Sequence, residues 1–166
     1  MSPHVTTRSA KASDLGAISD LHAKAFGPGR FARTAYRVRE GTPPASPFCR
    51  MAFVGSRMVA ALRLTPITIG DKDRALLLGP LAVDPEFTGQ GHGSRIVAEA
   101  LEEARAGDIA LVILVGDEPY YGRFGFKPVP PGDITLPGPV NPKRILAAEL
   151  KTGALADYRG LVAAAK

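Results

Sequence analysis

Residues 77–97 constrain the possible fold more than any other stretch of the sequence. An apolar run ends at Val83, and Asp84-Pro85 interrupts it before an amphipathic pattern begins near Ser94. Three glycines alternate with other residues in between, namely Gly89, Gly91 and Gly93. A strand that leads through a glycine-rich loop into a helix directs bare backbone N–H groups and the helix N-terminus at one point. The sequence therefore predicts a phosphate-binding site at the start of this helix.

The spacing of the glycines separates the common phosphate-binding motifs. A Walker loop needs Lys-Ser or Lys-Thr after its last glycine, and neither pair follows here. The dinucleotide motif G-x-G-x-x-G is met at Gly89 and Gly91, but its third position falls on Ser94. Asp117, the acid after the next strand, lies further from Gly89 than the usual spacing of about 20 residues. Dinucleotide binding and a merely structural turn remain alternatives at this point.

Apolar periodicity predicts a chain of alternating strands and helices. The predicted strands are Val5–Arg8, Phe48–Val54, Met58–Ile69, Arg74–Val83, Ile109–Val115 and Ile145–Leu150. The predicted helices run from Ser13-Asp14 to Ala25, from Phe31 to Arg39 and from Gly93 to Ala106, with a short helix at Pro119. Strands two to four form an antiparallel meander, and the long helix joins strands four and five as a parallel pair. Residues 128–142, with six prolines, are predicted to be irregular, and the tail from Ala154 shows no periodicity.

Gly79-Pro80 is an unusual pair inside the fourth predicted strand. Proline has no N–H to donate to a sheet, and it is normally confined to edges and bulges. Two interpretations follow. Either the strand is wrongly assigned, or it contains a bulge and separates from a neighbour at this point.

Composition limits the classes of partner. The chain has 166 residues, which favours one domain over 1–166. Its net charge of +5 favours anionic partners, but the basic residues form no run, so no nucleic-acid binding is expected. No apolar window reaches 18 residues and no signal peptide is apparent, so neither membrane insertion nor export is expected. Cys49, the only cysteine, cannot form an intramolecular disulfide. A cytoplasmic location is the expectation.

Two motifs in a fixed order resemble the GCN5-related N-acetyltransferase (GNAT) family, particularly its bacterial members of unassigned substrate. The family pattern Gln/Arg-x-x-Gly-x-Gly/Ala corresponds to residues 88–93, with Thr88 in place of the usual Gln or Arg. The family pattern Tyr-x-x-x-Gly-Phe corresponds to Tyr121–Phe126 without departure. The resemblance covers residues 5–129 and leaves 130–166 less certain.

The resemblance implies an α/β (α+β) fold and a donor-binding gap. The sheet would be mixed and mostly antiparallel, with helices on both faces and with the fourth and fifth strands splayed apart. Acetyl-CoA would lie in the gap, which gives Gly79-Pro80 a reason. The main chain of the fourth strand would bind the pantetheine arm, and the glycine loop would bind the pyrophosphate. The implied cofactor-binding residues are Leu81, Ala82, Val83, Thr88, Gly89, Gln90, Gly91, His92, Gly93 and Ser94.

The resemblance also implies an acyl-CoA-dependent N-acyltransferase mechanism. A primary amine of a small molecule or peptide would attack the thioester directly, so Cys49 would need no nucleophilic role and no metal would be involved. Tyr121 occupies the family's general-acid position. The general base stays open between an ordered water alone and one held by a nearby side chain: Asp117, Glu118 or His22. A non-catalytic acyl-CoA sensor of the same fold is the alternative function, and a nucleotide-binding protein is a more distant one. The identity of the acceptor, the use of other acyl groups and a possible homodimer are left open.

Overall fold

The computed structural model describes residues 5–26, 49–138 and 140–165. The predicted helix Phe31–Arg39 lies outside these residues. The strands are β1 (Val5–Ser9), β2 (Arg50–Val54), β3 (Arg57–Ile69), β4 (Lys72–Val83), β5 (Leu111–Val115), β6 (Lys127–Pro128), β7 (Ile134–Thr135), β8 (Ile145–Glu149) and β9 (Gly160–Ala164). The α-helices are α1 (Leu15–Phe26), α2 (His92–Ala106) and α3 (Glu118–Tyr121). None of the described helices is long and apolar enough to cross a membrane.

The strands form one mixed sheet in which most neighbours run antiparallel. Its main path follows the order β1-β2-β3-β4-β5-β8-β6. β1 to β4 form an antiparallel meander, β4 and β5 are parallel, and β8 runs antiparallel to both β5 and β6. The predicted fold class, meander and parallel pair are therefore confirmed. The parallel pair is adjacent because α2 supplies the long crossover that two parallel strands need.

Helices cover both faces of the sheet, as predicted. Successive residues of a strand point to opposite faces, and the one extra residue that β4 has between Leu78 and Leu81 exchanges the faces of the residues that follow it. Leu76 and Leu78 of β4 belong to the core under α2, whereas Ala82 packs with Ile18 and Leu21 of α1. The apolar side of α2 is buried throughout, with the spacing typical of an amphipathic helix, and it consists of Ile96, Val97, Ala100, Leu101 and Ala104.

β4 contains the bulge that Gly79-Pro80 suggested. Leu62 of β3 pairs with Leu81, and Leu64 pairs with Leu78, so β4 has one residue more than β3 between these pairs. Gly79 has a φ of +126°, which L-residues with a side chain rarely adopt. The proline therefore lies at an irregularity, where the loss of its N–H costs the sheet little.

β4 separates from β5 just before this bulge. The two strands pair at Ala75–Leu111, Leu76–Val112 and Leu77–Ile113, and no later pair follows. β4 nevertheless continues to Val83, still paired with β3. The prediction that the fourth and fifth strands splay apart is confirmed, and the gap opens toward the C-terminal ends of both strands.

The C-terminal part of the chain was predicted least well. The tail has a strand, β9, which pairs antiparallel with β3 and parallel with β7, although its sequence shows no alternation. Gly70 and Gly160 allow this approach, because a Cβ at Gly70 would lie 2.0 Å from the carbonyl oxygen of Arg159. β6 and β7 are the only described strand pieces in the otherwise irregular stretch 128–142. The pairing of β8 and β9 with the main sheet agrees with one domain over 1–166, which stays a prediction.

Two smaller differences concern charged residues. β4 begins at Lys72 instead of Arg74, because Gly70-Asp71 alone makes the turn. Glu99, an acidic residue that helical periodicity assigns to the water-facing side of α2, is instead half-buried and lies 3.3 Å from Arg50 of β2. The ion pair explains why a carboxylate is tolerated at the edge of the buried stripe.

Candidate active site

A cavity of about 420 Å³ lies where the end of β4, the start of α2 and the segment after β5 meet. Its lining residues are Val83, Phe87, Thr88, Gly89, Gly91, His92, Gly93, Ser94, Tyr120 and Arg123. Six of the ten residues that sequence reasoning assigned to cofactor binding are therefore in the glycine loop and helix start that wall this cavity, and Val83 joins them from β4. Gln90 contacts the cavity residue His92, whereas Leu81 and Ala82 precede Val83 in β4 and do not line the cavity.

The glycine loop is built to leave backbone accessible. Gly89 and Gly91 have φ values of +77° and +84°, and a Cβ at either position would meet no atom within 4 Å. Gly91 is the N-cap of α2, and no side chain caps this helix end. The first N–H groups of a helix have no partner within the helix and carry the positive end of its dipole. This open, uncapped N-terminus fits a phosphate group.

The side chains of the loop contact each other. The Thr88 hydroxyl donates to the carbonyl oxygen of Pro85 at 3.3 Å. His92 is buried, and its Nε2 lies 3.3 Å from Oε1 of Gln90. These contacts fix the loop and leave phosphate binding chiefly to its backbone.

Gly93 brings α2 close to β4 and to the segment after β5. A Cβ at Gly93 would lie 3.2 Å from Cγ2 of Val83, 3.4 Å from Cδ2 of Leu81 and 3.4 Å from the hydroxyl oxygen of Tyr120. Its role is thus close packing, unlike that of the two preceding glycines.

The end of β4 presents one free edge to the gap. Leu81, Ala82 and Val83 pair with β3 on one side. On the other side, no described strand pairs with them, because β5 has already separated. Since the backbone of a strand alternates its hydrogen-bonding groups between its two sides, this edge offers donors and acceptors to a molecule in the gap.

Tyr121 lies at the C-terminal end of α3, directly after β5. Its ring is half-buried and makes edge contacts with Tyr120, at 4.8 Å between centroids, and with Phe126, at 6.0 Å. It also lies over Gly116, where an added Cβ would come within 2.8 Å of Cε2 of Tyr121. Close packing thus holds the ring beside the end of the strand that borders the gap. Tyr120, and not Tyr121, lines the cavity at the α2 N-terminus.

Asp84 holds the end of β4 in place through a hydrogen bond and two ion pairs. Its carboxylate is buried, accepts a hydrogen bond from the N–H of Glu86 at 3.0 Å, and pairs with Arg57 at 2.9 Å and Lys24 at 3.1 Å. The Glu86 N–H bond, with the two cations, lowers the pKa of Asp84 from 3.8 to about 2. Arg57 also lies 4.9 Å from the ring centroid of Phe87, a cavity residue. The start of β3 and helix α1 are thereby connected to the end of β4.

The candidate bases are less well placed. Asp117 and Glu118 are exposed, neither lines the cavity, and Asp117 lies 3.5 Å from the guanidinium of Arg144. The side chain of His22 lies outside what the structure describes. Cys49 is buried, and its Sγ is 3.5 Å from the N–H of Leu64 in β3, a packing position. The described residues contain no group of three or more metal-ligating side chains.

Comparison with known proteins decides the family. The family model of the acetyltransferase (GNAT) domain matches residues 6–129. The chain belongs to this family. The match begins and ends within one residue of the stretch 5–129 over which the motifs suggested the resemblance. The prediction of an acyltransferase is thereby confirmed at the level of the family.

Two proteins of Escherichia coli are similar in sequence to this GNAT chain. The uncharacterized N-acetyltransferase YjhQ of strain K12 is 30% identical over 139 residues, which are 82% of this chain and 76% of YjhQ. The uncharacterized N-acetyltransferase YhbS of the same strain is 28% identical over 107 residues, or 64% of each protein.

Solved structures share the fold. The crystal structure of YhbS from Escherichia coli in complex with CoA has a TM-score of 0.84 at 23% identity, covering 99% of this chain and 92% of YhbS. A GNAT acetyltransferase from Brucella melitensis in complex with acetyl-CoA has a TM-score of 0.65 at 24% identity, covering 88% of this chain and 96% of that one.

Sequence reasoning missed three residues that line the cavity of this GNAT protein: Phe87, Tyr120 and Arg123. Arg123 and Tyr120 lie in or beside the Tyr-x-x-x-Gly-Phe motif, where Arg123 is one of its variable positions. The available signal was helical spacing, because residues three apart on one turn share a face. Asp84 was interpreted only as a strand terminator, and its partners Arg57 and Lys24 are distant in sequence.

Proposed function

We propose that this GNAT protein transfers an acetyl group from acetyl-CoA to a primary amine by direct attack, with Tyr121 as general acid. One observation carries the proposal. A single cavity joins the end of β4, the uncapped N-terminus of α2 and the segment that follows β5, and it lies where β4 and β5 have separated. The CoA and acetyl-CoA complexes of the two structural neighbours support the choice of donor.

The residues that hold the donor differ along its length. The N–H groups of the glycine loop and the first turn of α2 would bind the pyrophosphate, helped by the helix dipole. The free edge of Leu81–Val83 would bind the amides of the pantetheine arm. A main-chain N–H of this edge would also polarise the thioester carbonyl, and one such donor is commonly worth about 3 kcal/mol in the transition state.

Tyr121 would complete the reaction. As the amine nitrogen bonds to the acetyl carbon and the carbon–sulfur bond breaks, the Tyr121 hydroxyl gives its proton to the leaving sulfur. Its ring is held by contacts with Gly116, Tyr120 and Phe126, which fix its place beside the end of β5. An ordered water, alone or held by Asp117, Glu118 or His22, would take the proton of the amine.

Several features of the protein stay predictions. They are the small-molecule or peptide nature of the acceptor, a homodimer, a cytoplasmic location and the absence of a nucleic-acid partner. A panel of amines, from amino acids and polyamines to peptide N-termini and lysine peptides, would assign the acceptor class.

The test compares Tyr121→Phe with Tyr120→Phe, which removes a hydroxyl from the neighbouring ring. We expect Tyr121→Phe to lower kcat about 100-fold, the usual scale for a general acid, while the Kd for acetyl-CoA stays within about twofold. Tyr120→Phe should lower kcat by less than about threefold. Steady-state kinetics and calorimetric titration provide the two readouts.

Three results would contradict the proposal. Equal kcat in wild type and Tyr121→Phe would show that Tyr121 is not the general acid. Tight binding of acetyl-CoA without turnover on any amine of the panel would favour the sensor function. Preference for ATP or NAD over acetyl-CoA in the same titration would favour a nucleotide-binding protein.

A further inference from the structure

The glycine loop, residues 88–94, lies at the positive end of the α2 helix dipole but contains no fully charged cationic side chain. Residues 88–94 contain no lysine or arginine. Arg95 follows, but it does not line the cavity, and its Nε lies 3.4 Å from the Glu99 carboxylate. A pyrophosphate carries two negative charges, and a helix N-terminus offers only about half an elementary charge. A further cation is needed for good charge balance.

Arg123 is the one arginine or lysine among the residues that line the cavity. Its Nε donates to the carbonyl oxygen of Tyr120 at 3.1 Å. Its guanidinium carbon lies 4.3 Å from the Tyr120 ring centroid and 5.1 Å from that of Phe124. Within the described part of the chain, no carboxylate forms an ion pair with Arg123. The side chain is therefore held against two rings, and no carboxylate of residues 5–26, 49–138 or 140–165 neutralises its positive charge.

Tyr120 links this guanidinium to the start of α2. One side of the tyrosine stacks with Arg123, and its hydroxyl oxygen would lie 3.4 Å from a Cβ at Gly93, in the first turn of α2. The Tyr120 ring thus lies between the Arg123 guanidinium and the uncapped first turn of α2. Arg123 and the glycine loop face the same cavity from the β5 side and the β4 side.

We propose that Arg123 binds the pyrophosphate of the acyl donor from across the gap and supplies the positive charge that the glycine loop lacks. This inference rests on the proposed function, because it needs a CoA ester in the cavity. The planar guanidinium suits a phosphate, since it stays charged at all relevant pH values and donates two parallel hydrogen bonds. The stacked rings keep it pre-ordered, which reduces the entropy lost on binding.

The test measures the Kd of CoA and of dephospho-CoA by calorimetry for wild type, Arg123→Gln, Arg123→Lys and Arg95→Gln. Dephospho-CoA keeps the pyrophosphate and lacks the ribose 3′-phosphate. We expect Arg123→Gln to weaken both ligands by the same factor, about 20-fold, as a charge-assisted contact implies. Arg123→Lys should recover part of this loss. Arg95→Gln removes an equal charge near the loop and should change either Kd by less than about twofold.

The outcomes separate this inference from the proposed function. If wild type binds both ligands and Arg123→Gln binds them equally well, the Arg123 contact is wrong and the proposed function stands. If Arg123→Gln weakens CoA but not dephospho-CoA, the pyrophosphate assignment is overturned in favour of the 3′-phosphate. If Arg95→Gln has the same effect as Arg123→Gln, the effect is general electrostatics and the inference is overturned. If wild type binds neither ligand, the proposed function fails together with the inference.

Discussion

The two halves of β4 use the same backbone for different purposes. The half around Ala75–Leu77 pairs with strands on both sides and is buried on both faces. The half from Leu78 to Val83 keeps β3 but loses β5, and Val83 lines the cavity. The first half contributes stability through packing and a complete hydrogen-bond ladder. The second half gives up a ladder partner, so its free edge can bind a ligand.

A strand that loses one neighbour must be held by something else. In this protein β4 contains a bulge at Gly79-Pro80, and contacts of Asp84 hold the end of the strand in place. The N–H of Asp84 donates to the carbonyl oxygen of Val59 at 2.8 Å, and its carboxylate binds Lys24 and Arg57. The unpaired half of β4 therefore depends on the polar contacts at its end, around Asp84, which we call the rim of the gap. The paired half depends on apolar burial.

The largest effect on stability is expected for Asp84→Asn, at the end of β4. This substitution removes the charge from a buried, hydrogen-bonded carboxylate, so we expect the free energy of unfolding to fall by about 2 kcal/mol at neutral pH. The pKa of Asp84 is lowered to about 2 in the folded protein, so its contribution is present above about pH 4 and is lost as the pH falls toward 2. The variant should therefore lose less stability than wild type between pH 4 and 2, as measured by urea unfolding.

Asp14→Asn is the matched control for Asp84→Asn. A hydrogen bond from Arg8 and one from the N–H of Lys11 lower the pKa of Asp14 to about 2 as well, but Asp14 lies before α1 and outside the cavity lining. Both variants should flatten the acid limb of the stability curve, and only Asp84→Asn should also weaken acetyl-CoA binding. An unchanged affinity of Asp84→Asn for acetyl-CoA would mean that this carboxylate does not shape the donor-binding gap.

A smaller effect, on catalysis, is expected at Gly116→Ala. The new Cβ would collide with the ring of Tyr121, at 2.8 Å from Cε2, and the rigid ring must move. We expect kcat to fall about tenfold, which corresponds to about 1.4 kcal/mol, with little change in the Kd for acetyl-CoA. Gly122→Ala is the control, because its Cβ would meet only Cγ of Glu118 at an ordinary 3.8 Å. Equal kcat in the two variants would show that the position of Tyr121 is not critical.

The smallest effect is expected at Gly91→Ala. Gly91 and Gly153 have almost the same left-handed conformation, with φ and ψ of 84° and 4° against 81° and 1°, and neither Cβ would meet another atom. Both alanine variants should therefore lose about 1 kcal/mol of stability. Only Gly91→Ala should weaken acetyl-CoA binding, by about tenfold, because only Gly91 lines the cavity. Equal affinities would indicate that the glycine serves the turn alone.

Local patterns predicted most of the fold and the loop side of the site. The meander, α2 and the parallel pair follow from periodicity and turn residues, and the bulge follows from a proline that a regular strand does not accept. Two motifs in a fixed order predicted Tyr121 and the glycine loop as site residues. Their cofactor and catalytic roles stay predictions.

The remaining features depend on contacts between residues that are distant in sequence. β9 forms because Gly70 and Gly160 let two backbones meet, and no alternation marks it. Arg123 reaches the cavity because α3 follows β5 across the gap, which its own sequence position does not reveal. The Asp84 ion pairs join three separate segments. A single sequence gives no signal for these ion pairs, since each residue alone is typical of a solvent-exposed charge.

Amide hydrogen exchange, resolved by residue with NMR, tests most directly whether the free edge of β4 holds the acyl donor. Saturating acetyl-CoA should slow exchange within Leu81–Val83 and within the glycine loop, residues 89–94. Exchange at Ala75–Leu77 should stay the same, because these residues already have strand partners on both sides. If acetyl-CoA binds and Leu81–Val83 exchange as fast as before, the donor does not lie along this edge, and the assignment of the gap is wrong.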